Sequence, residues 1–276
     1  MRLYLYLSKI KMKIQVTSAN LDGVIMSRHA LYNRISKKLG ISVQINKELC
    51  LYNPEEVYRA LMSNQTIVKW LKFVSNHYTP PSGKEILLIY PCSAVKPYYK
   101  SRSYKILFNT LEKLGERRSK IHLVTISEPF GIIPEEFYER FSSWYDCPGL
   151  FPWWCSRYGQ PYDEKKAMKC INILAQYIAC FLRKIVKKGT YRHIIGFVRT
   201  YSSSLRVHNG LTHRLMLKKA SKIAGVTVEL HPSADLVRRI VKTRGKVAWD
   251  LYGVAHPLAQ QYLLKLLERK LHDSKK

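Results

Sequence analysis

Four short, uninterrupted apolar runs constrain this chain more than any other feature. They are Glu85-Ile86-Leu87-Leu88-Ile89-Tyr90, His122-Leu123-Val124-Thr125-Ile126, His193-Ile194-Ile195-Gly196-Phe197-Val198 and Val226-Thr227-Val228-Glu229-Leu230. Runs of this length, rich in β-branched residues, read as strands buried on both faces, and such strands occur in parallel sheets covered by helices. Helical stretches follow in turn. One covers 103–115 and ends at Gly115, and another opens at Pro134-Glu135-Glu136. The stretch 163–187 is closed by Lys187-Lys188-Gly189, 211–223 ends near Gly225, and a last helix covers 257–271. Strand and helix in alternation predict an α/β fold, a parallel-sheet three-layer core with helices on both faces.

Residues 1–80 read as a mainly helical N-terminal region, and 81–276 as the α/β core domain with a strongly basic C-terminal part. Asn53-Pro54-Glu55-Glu56 combines an N-cap, a proline at the first helical position and an acidic first turn. An apolar period then runs through Val57, Leu61, Val68, Leu71 and Val74. Thr79-Pro80-Pro81-Ser82-Gly83 breaks it and sets the expected domain boundary. The opening MRLYLYLSKIKMKIQ alternates like a strand and is too short and lysine-interrupted for a signal peptide. Asp273 to Lys276 reads as a frayed tail. No apolar run approaches the ~18 residues a bilayer span needs, and no membrane partner is expected, an anionic membrane surface being the weaker alternative to a nucleic acid for the basic charge. The six cysteines form no CxxC pair and suit neither a disulfide framework nor a zinc knuckle. They imply reduced thiols and a cytoplasmic setting.

Charge then narrows the partner. The formal net charge is +28, and residues 161–276 hold 24 basic against 7 acidic side chains. A surface so lopsided calls for a polyanion, first of all a nucleic acid. Arg238, Arg239, Lys242 and Arg244 form the densest basic cluster, with Lys100, Arg102 and Arg206 as further phosphate contacts; a solvated helix face is the plain alternative for the cluster.

In a parallel sheet, ligands bind beyond the carboxyl ends of the strands. All four apolar runs are followed there by polar or reactive residues. After the first come Cys92, Ser93, Lys96, Pro97, Tyr98, Lys100, Ser101 and Arg102; after the second Ser127, Glu128, Pro129 and Phe130. After the third come Arg199 and a hydroxyl-rich stretch to Arg214 that includes His208 and His213, and after the fourth His231-Pro232-Ser233. Nearby cations would raise the thiolate fraction of Cys92, although a buried, inert thiol is an equal reading. Lys96 reads as a phosphate or substrate contact or as a solvated loop lysine. Glu128 reads as a general base, an ammonium holder or a surface acid. Ser101 caps a helix, Arg199 suits a bidentate anion clamp, and His231 is an acid–base or substrate contact. His208 and His213 read as surface residues of an RNA-facing loop. The aromatic stretch Tyr145-Asp146-Cys147-Pro148-Gly149-Leu150-Phe151-Pro152-Trp153-Trp154 stacks a base or covers the core, with Asp146 a candidate contact to a polar substrate. Signatures for P-loop NTPases, dinucleotide folds, serine hydrolases, zincins and radical clusters are absent.

Pro91, Cys92, Lys96, Pro97, Tyr98 and Ser101 match a spaced pattern, PCxxxKPYxxSxxH, that resembles a signature of archaeosine synthase, the archaeal tRNA-modifying family related to tRNA-guanine transglycosylase. Tyr104 stands where that family has histidine. Ser127 to Glu136 and Tyr145 to Gly149 resemble further family blocks, and the likeness covers roughly residues 80–235. The resemblance implies a core of uracil-DNA-glycosylase-like architecture and a transferase that adds the amine of free lysine to the nitrile of preQ0 in the tRNA D-loop, forming an amidine. It implies Cys92, Lys96 and Glu128 as catalytic residues. Ser93, Pro97, Tyr98, Ser101, Phe130, Asp146, Arg199 and His231 would then contact substrate. It requires no metal or cofactor. Its partners would be tRNA, free lysine, a radical-SAM enzyme that cleaves the amidine, and a separate transglycosylase or PUA-containing subunit, since the chain is too short to hold those modules. Two other functions stay open: a base-excising glycosylase-like enzyme with Asp146 or His231 activating water, and a non-catalytic tRNA-binding subunit.

Overall fold

The computed structural model describes residues 44–93, 95–141, 143–157, 159–200 and 212–272. The expected N-terminal strand, Arg206, His208 and the C-terminal tail lie outside the described residues. Residues Ile41–Lys276 form one compact unit.

Its centre is a five-stranded sheet of β2 (Ile86–Pro91), β3 (Ile121–Ser127), β4 (Gly131–Pro134), β6 (His193–Phe197) and β7 (Glu229–His231), in the order β4-β3-β2-β6-β7. β3, β2, β6 and β7 are parallel, as their apolar runs require. β4 departs from the all-parallel expectation. It folds back antiparallel on β3, with Ser127 paired to Gly131. The turn closes at Gly131, whose φ of +67° suits glycine. Pro134 therefore ends a strand, and the helix expected there is a single 3-10 segment, Glu135–Phe141. A second, two-stranded parallel pair joins β1 (Gln44–Cys50) to β5 (Ser143–Asp146). Neither strand was anticipated, because neither has a clean apolar alternation.

Nine α-helices appear among the described residues: α1 (Pro54–Ser63), α2 (Gln65–Lys72), α3 (Arg102–Glu112), α4 (Pro152–Arg157), α5 (Glu164–Lys187), α6 (Thr212–Ala224), α7 (Ala234–Arg244), α8 (Lys246–Tyr252) and α9 (Pro257–His272). Right-handed crossovers put α3 on one face of the sheet and α5 and α6 on the other. The packing agrees, since α5 lies against α6 while α3 lies against α9.

The single period expected through residues 57–74 is in fact two helices. Asn64 ends α1 and its side chain accepts from the amides of Thr66 and Ile67 to start α2. This restart shifts the helical phase, so Ile67 rather than Val68 enters the core. The expected boundary near residue 80 lies inside the compact unit. Leu61, Leu71 and Tyr78 share one apolar core with the strands, and α1 packs on α5. Among the described residues, no helix is long and apolar enough to cross a membrane.

Candidate active site

The chain enters the parallel sheet at β2, steps to β3 on one side, and later returns to β6 on the other. The carboxyl ends of β2 and β6 thus flank the point where strand order reverses, where such sheets open a crevice. Cys92 follows β2 directly and stays registered on β3, its amide donating to the Ile126 carbonyl at 3.0 Å. Glu128 follows β3. His213 stands in the first turn of α6, the helix after β6.

These three side chains meet. His213 Nε2 lies 2.9 Å from Glu128 Oε2 and 3.8 Å from Cys92 Sγ. One candidate ligand atom from each residue falls within 4.8 Å of the other two. Cys92 is half-buried, whereas Glu128 is only 2% exposed. Its Oε2 takes the imidazole, while Oε1 is buried without a hydrogen-bond partner among the described residues. Burial works to lower the His213 pKa, but the Glu128 carboxylate and the hydrogen bonds to Cys92 and Glu128 outweigh it and raise the value to about 10. The imidazole is therefore an imidazolium at neutral pH. Phe151, from the aromatic loop, presents its ring edge-on to His213 with centroids 6.2 Å apart.

The same three donors suit a soft divalent cation, an option the sequence spacing did not suggest. The spacing favours a proton instead. Two ligands ~2.0 Å from a tetrahedral zinc sit ~3.3 Å apart, and 2.9 Å is an ordinary charged hydrogen bond.

Lys96 is 3% exposed, which corrects its reading as a phosphate contact. Its Nζ donates to the Tyr145 carbonyl at 2.8 Å and lies 3.9 Å from the centre of that ring. It anchors the aromatic loop from below. The Tyr145 hydroxyl bonds Tyr98 and, at 2.8 Å, Ser127. Burial raises both phenols well above their ordinary range. Phe130 is buried edge-on against Tyr145 with centroids 4.9 Å apart. Gly149 lets the loop press on α1, since a Cβ there would stand 2.7 Å from the Asn53 carbonyl. Tyr98, Phe130, Tyr145 and Leu150 therefore cover the core, and Phe151 is a ring of the loop that reaches His213.

Pro97 and Asp146 are buried as well, and the Asp146 carbonyl accepts from the Leu51 amide at 2.8 Å. Ser93 is half-buried, and its Oγ accepts from the Val95 amide at 3.3 Å. Ser101 proves to be the helix cap, accepting from the Tyr104 amide at 3.2 Å. Tyr104 packs in the core, stacked on Tyr98 with centroids 5.2 Å apart, and its hydroxyl donates to the Pro91 carbonyl at 3.2 Å. The residue at the family's histidine position thus braces β2 from beneath.

Arg199 is turned toward α8, its Nη2 donating to the Trp249 carbonyl at 3.4 Å. His231 bonds the Tyr262 hydroxyl at 2.9 Å. Neither is joined to the Cys92 group by a described contact. Arg102 lies over the Tyr252 ring, 5.0 Å from its centre. Arg238, Arg239, Lys242 and Arg244 are exposed along α7, and Lys100 is half-buried. His213 is the member of this group that the sequence reading set aside as a surface residue. The rule that singled out Cys92 and Glu128 reaches it too, because it opens the helix following a buried parallel strand.

Comparison with known proteins bears out the resemblance seen at Pro91 to Tyr104. Residues 67–213, just over half of the chain, match the family described as a domain of unknown function, DUF5591. Archaeosine synthase subunit alpha of Thermococcus kodakarensis is 40% identical over 72 residues, 26% of this chain and 13% of the relative. The same subunit of Thermoplasma acidophilum is 30% identical over 145 residues, covering 52% and 23%, and that of Methanosarcina acetivorans 28% over 165 residues, covering 55% and 24%. The chain thus spans a quarter or less of the curated relatives it matches. A crystal structure of a protein of unknown function aligns over 73% of this chain and 53% of its own, with a TM-score of 0.40 and 17% identity. The matched segment opens on α2 and closes on His213, so it holds Cys92, Glu128 and His213 together, and the chain belongs to the DUF5591 family.

Proposed function

We propose that this chain acts in archaeosine biosynthesis as a tRNA-modifying transferase, joining a primary amine to the nitrile of preQ0 in tRNA to form an amidine. The observation that carries this reading is the Cys92 thiol held within 4.8 Å of a buried carboxylate with one oxygen that makes no described hydrogen bond. A nitrile carbon is an electrophile, and a thiolate adds to it to give a thioimidate. An arriving ammonium group would satisfy Glu128 Oε1, which orients the amine toward that carbon. Lysine is the amine proposed from the family resemblance. Lys96 supports the aromatic loop, and Phe151 offers its ring to the base.

The basic face of α7, with Arg102, supplies phosphate contacts for tRNA. A uracil-DNA-glycosylase-like arrangement is compatible with four parallel strands between helix layers. The glycosylase alternative loses support from the surroundings of its two proposed water activators: Asp146 is buried and His231 is bonded to Tyr262. A radical-SAM enzyme and a transglycosylase or PUA-bearing chain remain the proposed partners.

The test is a single-turnover assay with preQ0-containing tRNA and labelled lysine. Stoichiometric label on the tRNA nucleoside supports the reading. Full activity of Cys92→Ala rejects the covalent route, and no transfer by the wild-type chain with its partners present rejects the function.

A further inference from the structure

We propose that His213 is the acid–base residue of this site, giving a proton to the nitrile nitrogen as Cys92 adds and taking one back from the incoming amine as the thiolate departs. The inference rests on the nitrile chemistry proposed above and names the proton carrier that this chemistry needs. When a thiolate adds to a nitrile, negative charge develops on nitrogen, and the addition reverses unless a proton arrives. Among the described residues, His213 is the one side chain bonded to the thiol and the carboxylate together, at 3.8 and 2.9 Å.

Among the described residues, the other candidate proton donors near the rim are engaged elsewhere. Lys96 is buried under Tyr145, and the Tyr98 and Tyr145 hydroxyls bond one another. Arg214, beside His213 on α6, turns away to the carbonyls of Leu230 and Pro232 at 3.2 and 3.4 Å. His231 faces Tyr262.

The steps balance. First the S–C bond forms, one C–N π bond breaks toward nitrogen, and the Nε2 proton moves onto that nitrogen. This leaves a thioimidate and a neutral imidazole. The substrate ammonium then gives one proton to Glu128, which later releases it to water. The freed amine forms the new C–N bond, the C–S bond breaks to restore the thiolate, and the second amine proton returns to His213. Nitrile and amine become amidine, with no oxidant or further reactant.

The experiment compares two electrophiles on the full chain, wild type and His213→Gln, with adducts located at Cys92 by peptide mass mapping. An activated aromatic nitrile, 2-cyanopyrimidine, needs a proton on nitrogen when the thiol adds; iodoacetamide does not. His213→Gln is expected to slow the nitrile adduct about 10²- to 10⁴-fold and iodoacetamide alkylation by about tenfold at most. Equal losses for both reagents would reduce His213 to a residue that merely holds the thiol and overturn the proposal, as would unchanged rates or a wild-type chain that forms no nitrile adduct. Loss of the wild-type nitrile adduct after chelator treatment would assign the activation to a metal ion and overturn it equally. A wild-type chain that forms the cyanopyrimidine adduct yet transfers nothing to preQ0-tRNA would sink the proposed function alone.

Discussion

Two histidine–glutamate groups in this fold behave in opposite ways. At the rim, His213 faces Glu128 at 2.9 Å and its pKa rises to about 10. At the edge strand β7, His231 lies 3.9 Å from Glu229, and burial lowers its pKa against the pull of that carboxylate. The difference lies in how each carboxylate is used. Glu229 already binds Lys270 at 2.7 Å and lies 3.4 Å from His193, and the Lys270 hydrogen bond and charge lead the contacts that hold its own pKa down against burial. Glu229 still pulls the His231 value upward, but burial together with the positive charges of Lys270, Arg214 and Arg269 outweighs it. Glu128 has no such competitor in any described contact, and its second oxygen is buried without a described hydrogen bond. A shared carboxylate stabilises an edge strand, whereas a dedicated one can poise a proton.

Removing the thiol should have the largest effect. Cys92→Ala is expected to reduce amidine formation on the order of 10³-fold or more, read as labelled lysine transferred to preQ0-tRNA; a loss under tenfold would show that the rim does not use covalent chemistry. Glu128→Gln comes next. It should cut transfer about 10²-fold and return the His213 pKa to or below the ordinary imidazole value, followed by NMR of the labelled imidazole. Among the described residues, the groups facing that ring are Glu128 and Cys92, with the Phe151 edge beside them. Because folding raises this pKa, the stability it contributes is whole below about pH 6.5 and is lost as pH rises through about 10. Denaturant melts across that window should slope downward for the wild type, and the His213 component of the slope should vanish in Glu128→Gln.

Lys270→Met makes the edge group resemble the rim group. Freed from its lysine, Glu229 should raise the His231 pKa with little change in transfer, and an unmoved His231 resonance would refute the sharing argument. For the basic face, Arg239→Ala should weaken tRNA binding a few-fold and lower the salt slope by about one, measured by affinity across a salt series. The smallest effect expected is at the cap. Ser101→Ala should cost about 1 kcal/mol in chemical denaturation, with the chemistry at Cys92 retained.

Local features of the fold were legible. Asn53 and Ser101 cap helices where their sequence context placed them, because an N-cap is a short-range hydrogen bond. Asn64 was harder to read, since one side chain ends a helix and starts the next without breaking the apolar pattern. β4 was missed because a four-residue hairpin arm carries too little periodicity to separate it from a loop. In the site, Cys92 and Glu128 were visible as reactive residues after apolar strands. Lys96 was misread, as its burial depends on Tyr145, 49 positions away. His213 looked like one more residue of a basic loop.

By itself the sequence determined the α/β class, the central strands, the caps and a nucleic-acid-seeking charge, since those follow from periodicity, local hydrogen bonding and composition. Only the tertiary structure decided which polar groups meet. Cys92 and His213 are 121 positions apart, and they meet because strand order reverses between β2 and β6. Their protonation follows from that meeting, since a field of a few ångströms range acts on neighbours in space rather than in sequence.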